Sequence, residues 1–345
     1  TVAEIFESKY DSLFLKKCAS ILSIISMSGI FVAQVVASRR FMAGLGADNE
    51  VFFLLFWTFI IAYTVMGGLK AVVVTDTLQV LLVICVFTGA FVYSLSDLSL
   101  TESLLNTQFF EAPQVSWTGM LILPMCFSLI EQDIAQRCFS SKNPKTARNA
   151  ALCSALFIFV FSSIPVYFGM QAKIVGLNIP EGASPLIIYL QSTMGELSFV
   201  LIVCALLAAI TSTADSLLCA ISSNLSQDFS FSFFGLKRSL AFSKVVTLIL
   251  GVLGLLIGYY FDNILSILIQ SYELPVSCLF VSIIFSLFTD KLSKEAAFLS
   301  VGAGAIGFVL FRICPLTFFP SELASLLISF VAYLLGHFAY KKKHQ

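Results

Sequence analysis

Residues 208–216 read Ala-Ala-Ile-Thr-Ser-Thr-Ala-Asp-Ser, three hydroxyls, a carboxylate and a fourth hydroxyl within six residues of an otherwise hydrocarbon run. Ser and Thr in an apolar helix can bond back to the carbonyl one turn earlier, and small residues let helices approach. That accounts for isolated hydroxyls but not for Asp215, because a carboxylate in lipid is costly and faces a polar pathway or a partner. Ser212 and Thr213 lie three and four residues beyond Ala209, so both hydroxyls reach the patch of the Ala209 carbonyl. Hard cations such as Na⁺ are held by oxygens of this kind, including carbonyls freed beside broken helices. Three oxygens do not fill a shell, so a second helix must supply the rest.

Other polar groups demand a reason too. Asp76 follows Gly67-Gly68 in GGLKAVVVTDTLQV. It reads either as a helix-terminal acid at the positive end of the dipole or as a carboxylate at an ion exit. Glu131, Gln132, Asp133, Gln136 and Arg137 crowd the end of an apolar stretch interrupted by Pro124. Asp133 can pair with Arg137 at i+4, whereas Glu131 lies off that face and has no cation on its own helix. Glu273, in IQSYELPVS, also lacks a local cation, which favours a pathway or interhelix role. The nine cysteines form no CxxC or Cys/His cluster, and His337 and His344 stand apart from other ligands, so no metal centre beyond Na⁺ is expected. No GxSxG, HExxH, P-loop or GxGxxG element is present, which removes support for hydrolase chemistry and ATP-driven transport.

The elements that position these groups are membrane helices. Of 345 residues, 58% are hydrophobic and 12% charged, with a mean hydropathy of +0.95. A soluble domain carries roughly a quarter charged residues, so the chain is an all-α polytopic membrane protein. Continuous rather than alternating apolar runs argue against a barrel. Ten spans are expected, at 16–38, 50–66, 72–95, 117–137, 149–170, 197–224, 240–260, 263–289, 295–312 and 322–340. With both ends in the cytoplasm, sixteen of the twenty Lys and Arg fall inside, and Arg39, Arg40, Lys173 and Arg312 outside. The Arg39-Arg40 pair is the misfit. The outside segments 96–116 and 171–196 are long enough to carry short surface helices. Gly251, Gly254, Gly258, Gly302, Gly304 and Gly307 read as close helix packing. No low-complexity linker divides the chain, so residues 1–345 read as one domain. Zero net charge excludes nucleic acid as a partner.

GGLKAVVVTDTLQV, EQDIAQRCFSSKNPKTARNA and LLAAITSTADSLLCAISSNLSQD together resemble the sodium:solute symporter family, which includes proline, pantothenate and sugar transporters. The resemblance covers essentially the whole chain. It implies a five-plus-five inverted-repeat fold with sites near broken helices at mid-membrane. Residues 16–95 would then be the last three helices of the first repeat, 117–289 the second repeat, and 295–340 two peripheral helices. The family's first core helix is expected ahead of Thr1. By the same resemblance, Ala209, Ser212 and Thr213 contribute to a sodium site, Asp76 is associated with sodium coupling, and Asp215 tunes the site's inner side. Glu131, Gln132, Asp133 and Glu273 are placed on the substrate route. Sugar-transporting members carry an amide and an aromatic where this chain has Glu131 and Asp133, so a zwitterionic or cationic, amino-acid-like solute is favoured over a sugar.

The reading is a secondary active transporter, not an enzyme, with Na⁺ as coupling ion and no organic cofactor. Its partners are a small solute and the lipid of a plasma membrane, that of a bacterial inner membrane being favoured. Proton coupling through Asp215 and Glu273, or a sensor that keeps the fold without transport, are the alternatives.

Overall fold

The computed structural model describes residues 1–46, 49–95, 117–178, 184–229, 240–261, 263–289, 292–314, 316 and 319–343. Segment 96–116 and part of 171–196 lie outside these residues. Among those described, every regular element is helical: α1 Glu4–Tyr10, α2 Leu13–Gly44, α3 Glu50–Leu95, α4 Trp117–Ser128, α5 Gln132–Phe139, α6 Pro144–Phe161 and α7 Ser163–Ile174. The remainder are α8 Pro185–Thr193, α9 Glu196–Asp228, α10 Leu240–Gly258, α11 Ile264–Pro275, a π-helical turn Val276–Phe280, α12 Val281–Phe288, α13 Lys294–Ile313 and α14 Ser321–Lys343. Among the described residues, eight helical stretches are long and apolar enough to cross a membrane, with α6–α7 and α11–α12 each forming one. Many carry large exposed apolar side chains, such as Phe159 at 80%. Lipid rather than water suits such faces.

The breaks follow from the residues that make them. At 46 residues, α3 would be roughly 70 Å long if straight, more than twice the hydrocarbon thickness of a bilayer. It kinks at Gly68, whose φ of 58° and ψ of −163° suit a residue without Cβ. Pro165 lacks the N–H that would bond the Phe161 carbonyl, and α6 gives way to α7 at Ser162. Pro275 likewise leaves the Ser271 carbonyl without its intrahelical donor, and the Ser26 hydroxyl of α2 donates to it instead, at 2.5 Å. The expected span 117–137 is two short helices. Pro124 lies inside α4, but the chain leaves the helix only at Leu129–Glu131.

The chain divides into two units. Unit 1 is Thr1–Ala33, Gln114–Phe139 and Leu217–Gln345; unit 2 is Gln34–Pro113 and Ser140–Ser216. In unit 1, α13 and α14 approach closely through small residues. The Ser300 and Ser329 hydroxyls bond at 2.9 Å, Gly307 faces the Ser325 backbone, and a Cβ on Gly304 would strike the Ser277 carbonyl of the π-helical turn. Gly254 accommodates the Phe31 ring, whereas Gly302 has open space around it. The Tyr10 hydroxyl donates to the Ser282 carbonyl at 2.6 Å and adjoins the Tyr333 hydroxyl at 3.1 Å, pinning α1 to α12 and α14. Unit 2 has its own core, where Phe87 and Ala90 of α3 meet Ile164 and Phe168 of α7, Tyr189 of α8, and Ile202 and Ala205 of α9. Helix α8 falls in the segment expected to carry a surface helix, yet its Tyr189 and Leu190 are fully buried in that core.

Candidate functional site

The oxygen-bearing stretch lies near the middle of α9, on a continuous helix. The Ser212 hydroxyl donates to the Ala209 carbonyl at 3.0 Å, and the Thr213 hydroxyl to the same carbonyl at 3.3 Å. Back-bonding and convergence are therefore the same geometry here, because the bonds that satisfy the hydroxyls also hold three hard oxygens within one turn. Each hydroxyl keeps its lone pairs for a cation. Ala209 and Thr213 are exposed and Ser212 is half-buried, so the patch is accessible. Its donor set suits Na⁺, a hard cation that prefers neutral and anionic oxygens, and it makes part of a shell. Among the described residues, no cluster of His, Cys, Asp and Glu has metal-binding spacing.

One turn further on, the other face of α9 meets α3 within unit 2. Asp215 is fully buried and its Oδ2 accepts a 2.6 Å bond from the Tyr63 hydroxyl. Asp76, 9% exposed, accepts from the Ser216 hydroxyl at 3.3 Å. The Gln79 amide donates to the Thr211 hydroxyl at 2.9 Å, and that hydroxyl donates to the Ala208 carbonyl. Asp76 lies two turns past the Gly68 kink, within the helix rather than at its start. Tyr63 and Asp76 thus come from opposite sides of that kink, and α9 ties both together. A buried carboxylate needs such donors, each hydrogen bond to a charged group contributing about 1.5–3 kcal/mol. Tyr63 and Gln79 were not singled out from sequence. The available signal was polarity inside an apolar helix, with Gln79 three residues past Asp76 on the same face.

The Glu131–Asp133 run lies in unit 1, where α4 ends and α5 begins. Its three members have separate fates. The Gln132 side chain is buried and its Oε1 accepts from the Val2 backbone N–H at 2.7 Å. Asp133 faces Arg137 at 3.5 Å and accepts from the Gln136 amide at 3.2 Å, the i+4 pairing expected of it. Glu131 stands at the break itself. Its carbonyl accepts the first bond of α5, from Ala135 N–H. Among the described residues no hydrogen bond or ion pair reaches its carboxylate, which lies within electrostatic range of both Asp133 and Arg137. Tyr272 of α11, ring to ring with Phe127 at 5.0 Å, lies within electrostatic range of Glu131. The next residue, Glu273, points about 100° further round α11. Its Oε2 accepts from Arg312 Nη2 of α13 at 2.8 Å. The structure therefore groups Ala209 with Ser212 and Thr213, links Asp76 and Asp215 through α9, and engages Glu273 with α13 rather than with the Glu131–Asp133 run.

Comparison with known proteins gives the family of the chain. The profile of the sodium:solute symporter family matches residues 1–304. The sodium/sialic acid symporter SiaT of Proteus mirabilis is 28% identical over 255 residues, which are 65% of this chain and 50% of that protein. The chain thus spans about half the length of this curated relative. A solved substrate-bound, outward-open state of a Na⁺-coupled sialic acid symporter has a TM-score of 0.78 at 19% identity. That match covers 98% of this chain and 76% of the solved one, and it speaks for the fold. These relatives are transporters, not enzymes. With most of its length matched by one family profile, the chain belongs to the sodium:solute symporter family.

Proposed function

We propose that the protein is a Na⁺-coupled symporter of a small organic solute, working by alternating access. The observation that carries this reading is the convergence of the Ser212 and Thr213 hydroxyls on the Ala209 carbonyl of α9. Na⁺ bound there would supply the driving force of its gradient, and Ala209, Ser212 and Thr213 would hold it together with oxygens from another segment. Asp76 and Asp215, secured by Ser216 and Tyr63, stand beside it as ion-coupling groups. The substrate route passes the α4–α5 break, where Glu131 offers a carboxylate without an ion-pair partner among the described residues. Such a group in a low-dielectric site favours a cationic or zwitterionic solute. Sialic acid, the solute named for the relatives, is the second reading.

The fold that goes with this function is the five-plus-five repeat, to which this chain would give ten crossings: the last three helices of the first repeat, the whole second repeat and two peripheral helices, with α3 crossing twice about Gly68 and α4–α5 forming a broken crossing. Charge distribution supports both chain ends in the cytoplasm of a plasma membrane. The test is uptake into proteoliposomes under an imposed Na⁺ or H⁺ gradient, with an amino acid, an organic amine, a neutral sugar and sialic acid as labelled solutes. Uptake driven by Na⁺ and fastest for the amino acid or amine is expected. Uptake driven only by H⁺, or none with any gradient, sinks the coupling assignment.

A further inference from the structure

An open pocket of about 470 Å³ lies in unit 1. It forms where the start of α11, the end of α13 and the start of α14 meet, and Ser266, Gln270, Glu273, Phe311, Arg312 and Glu322 line it. The volume suits a small molecule rather than a bare ion. The charges in its wall do not balance. The Arg312 guanidinium is engaged twice, donating to the nearly buried Glu273 at 2.8 Å and lying 4.7 Å from the centroid of the Phe308 ring. Glu322 is a second carboxylate within electrostatic range of the same Glu273. Among the described residues, no hydrogen bond or ion pair reaches its side chain. Among the described lining residues one cation thus faces two acids, a net negative charge. The Gln270 amide nitrogen donates to the Ser266 hydroxyl at 2.9 Å, which leaves the amide carbonyl as an acceptor.

We propose that this cavity binds a small organic ammonium group. The Glu322 carboxylate is its counter-ion, the Gln270 carbonyl accepts from its N–H donors, and the Phe311 ring covers its hydrocarbon part. An anion would meet two carboxylates and a guanidinium already committed to Glu273. A metal cation would sit beside that guanidinium in a space too large to coordinate it. The ammonium group can come from a free amine or from the ethanolamine headgroup of a membrane lipid.

The test is equilibrium binding of labelled ethanolamine to the intact protein in nanodiscs of phosphatidylglycerol. Saturable binding is expected, weakened about tenfold or more in Glu322→Gln and in Gln270→Leu. The component of binding that Glu322→Gln removes should persist in Glu131→Gln, whatever amine the substrate route itself takes up, and this separates the two sites. Thermal unfolding of Glu322→Gln at the parental temperature shows that the variant is folded. Loss of ethanolamine binding in phosphatidylethanolamine nanodiscs identifies the lipid headgroup as the source, and retained binding identifies the free amine. Absence of saturable binding in phosphatidylglycerol, or binding undiminished in both cavity variants, overturns the proposal whatever the fate of the transport reading.

Discussion

The hydroxyls of Ser212 and Thr213 bond to one carbonyl, so each can be removed without stranding a partner. The Ala209 carbonyl keeps one hydroxyl when the other is lost. Ser212→Ala and Thr213→Ala are therefore expected to leave the protein inserted and folded while weakening Na⁺ activation. Loss of one oxygen ligand should cost on the order of 1–3 kcal/mol, or roughly 5- to 150-fold in half-activating Na⁺. Uptake measured against Na⁺ concentration gives the value, and an unchanged half-activation in both variants removes the assignment. Glu131 and Asp133 make the complementary pair. Asp133 has Arg137 and Gln136 as partners, whereas Glu131 has no such bond among the described residues. Glu131→Gln should weaken a cationic or zwitterionic solute by about 1.5–3 kcal/mol and change Na⁺ activation little. Asp133→Asn serves as the comparison that loses only a partly exposed ion pair. Substrate half-saturation altered in Asp133→Asn alone would move the route elsewhere.

Helix ends and breaks were the legible part of the elements, because their causes are local. Gly67-Gly68, Pro165 and Pro275 each announce an interruption, and the structure departs from a straight helix at or near each. Pro124 announces one too, but the helix runs through it and ends only past Ser128. Pairings between helices were not legible. Glu273 finds Arg312 thirty-nine residues away, and Tyr63 finds Asp215 one hundred and fifty-two residues away. Neither separation leaves a periodic trace in sequence, since either partner could have faced another helix. The convergence at Ala209 was legible for the opposite reason, being a relation within one turn. Two glycine variants test the elements. Gly68→Ala asks an L-residue to adopt φ 58°, ψ −163° and should destabilise by on the order of 1–3 kcal/mol. Gly304→Ala drives a methyl group into the backbone of the π-helical turn, an overpacking cost of similar size. Gly302→Ala, which has open space, is the control. Thermal unfolding in detergent should rank Gly302→Ala with the parent and the other two below it, and equal stability of all four would contradict the packing.

At the scale of the whole molecule, orientation in the membrane is a question of parity. Among the described residues, five helical stretches long enough to cross lie between Cys138 and Cys314: Pro144–Ile174, Glu196–Asp228, Leu240–Gly258, Ile264–Phe288 and Lys294–Ile313. An odd number of crossings puts those two cysteines on opposite faces. Charge then decides which face is which. Cys138 is followed by the basic run with Lys142, Lys145 and Arg148, while Cys314 stands two residues past Arg312, alone among its neighbours in charge. Lys and Arg gather on the cytoplasmic side of membrane proteins, so Cys138 is expected inside and Cys314 outside. Both thiols are exposed at helix ends. Cys85, Cys153 and Cys204 are exposed too, but along apolar helices. In lipid a thiol does not ionise to the thiolate that reacts with a maleimide. Single-cysteine variants retaining only Cys138 or only Cys314 can therefore be labelled in whole cells with a membrane-impermeant maleimide. Cys314 should react in intact cells, and Cys138 only after permeabilisation. The reverse pattern would invert the protein and make Arg312 an inside charge. Labelling of both from one side would mean that one of the five intervening stretches does not cross, and the ten-crossing fold would fall with it.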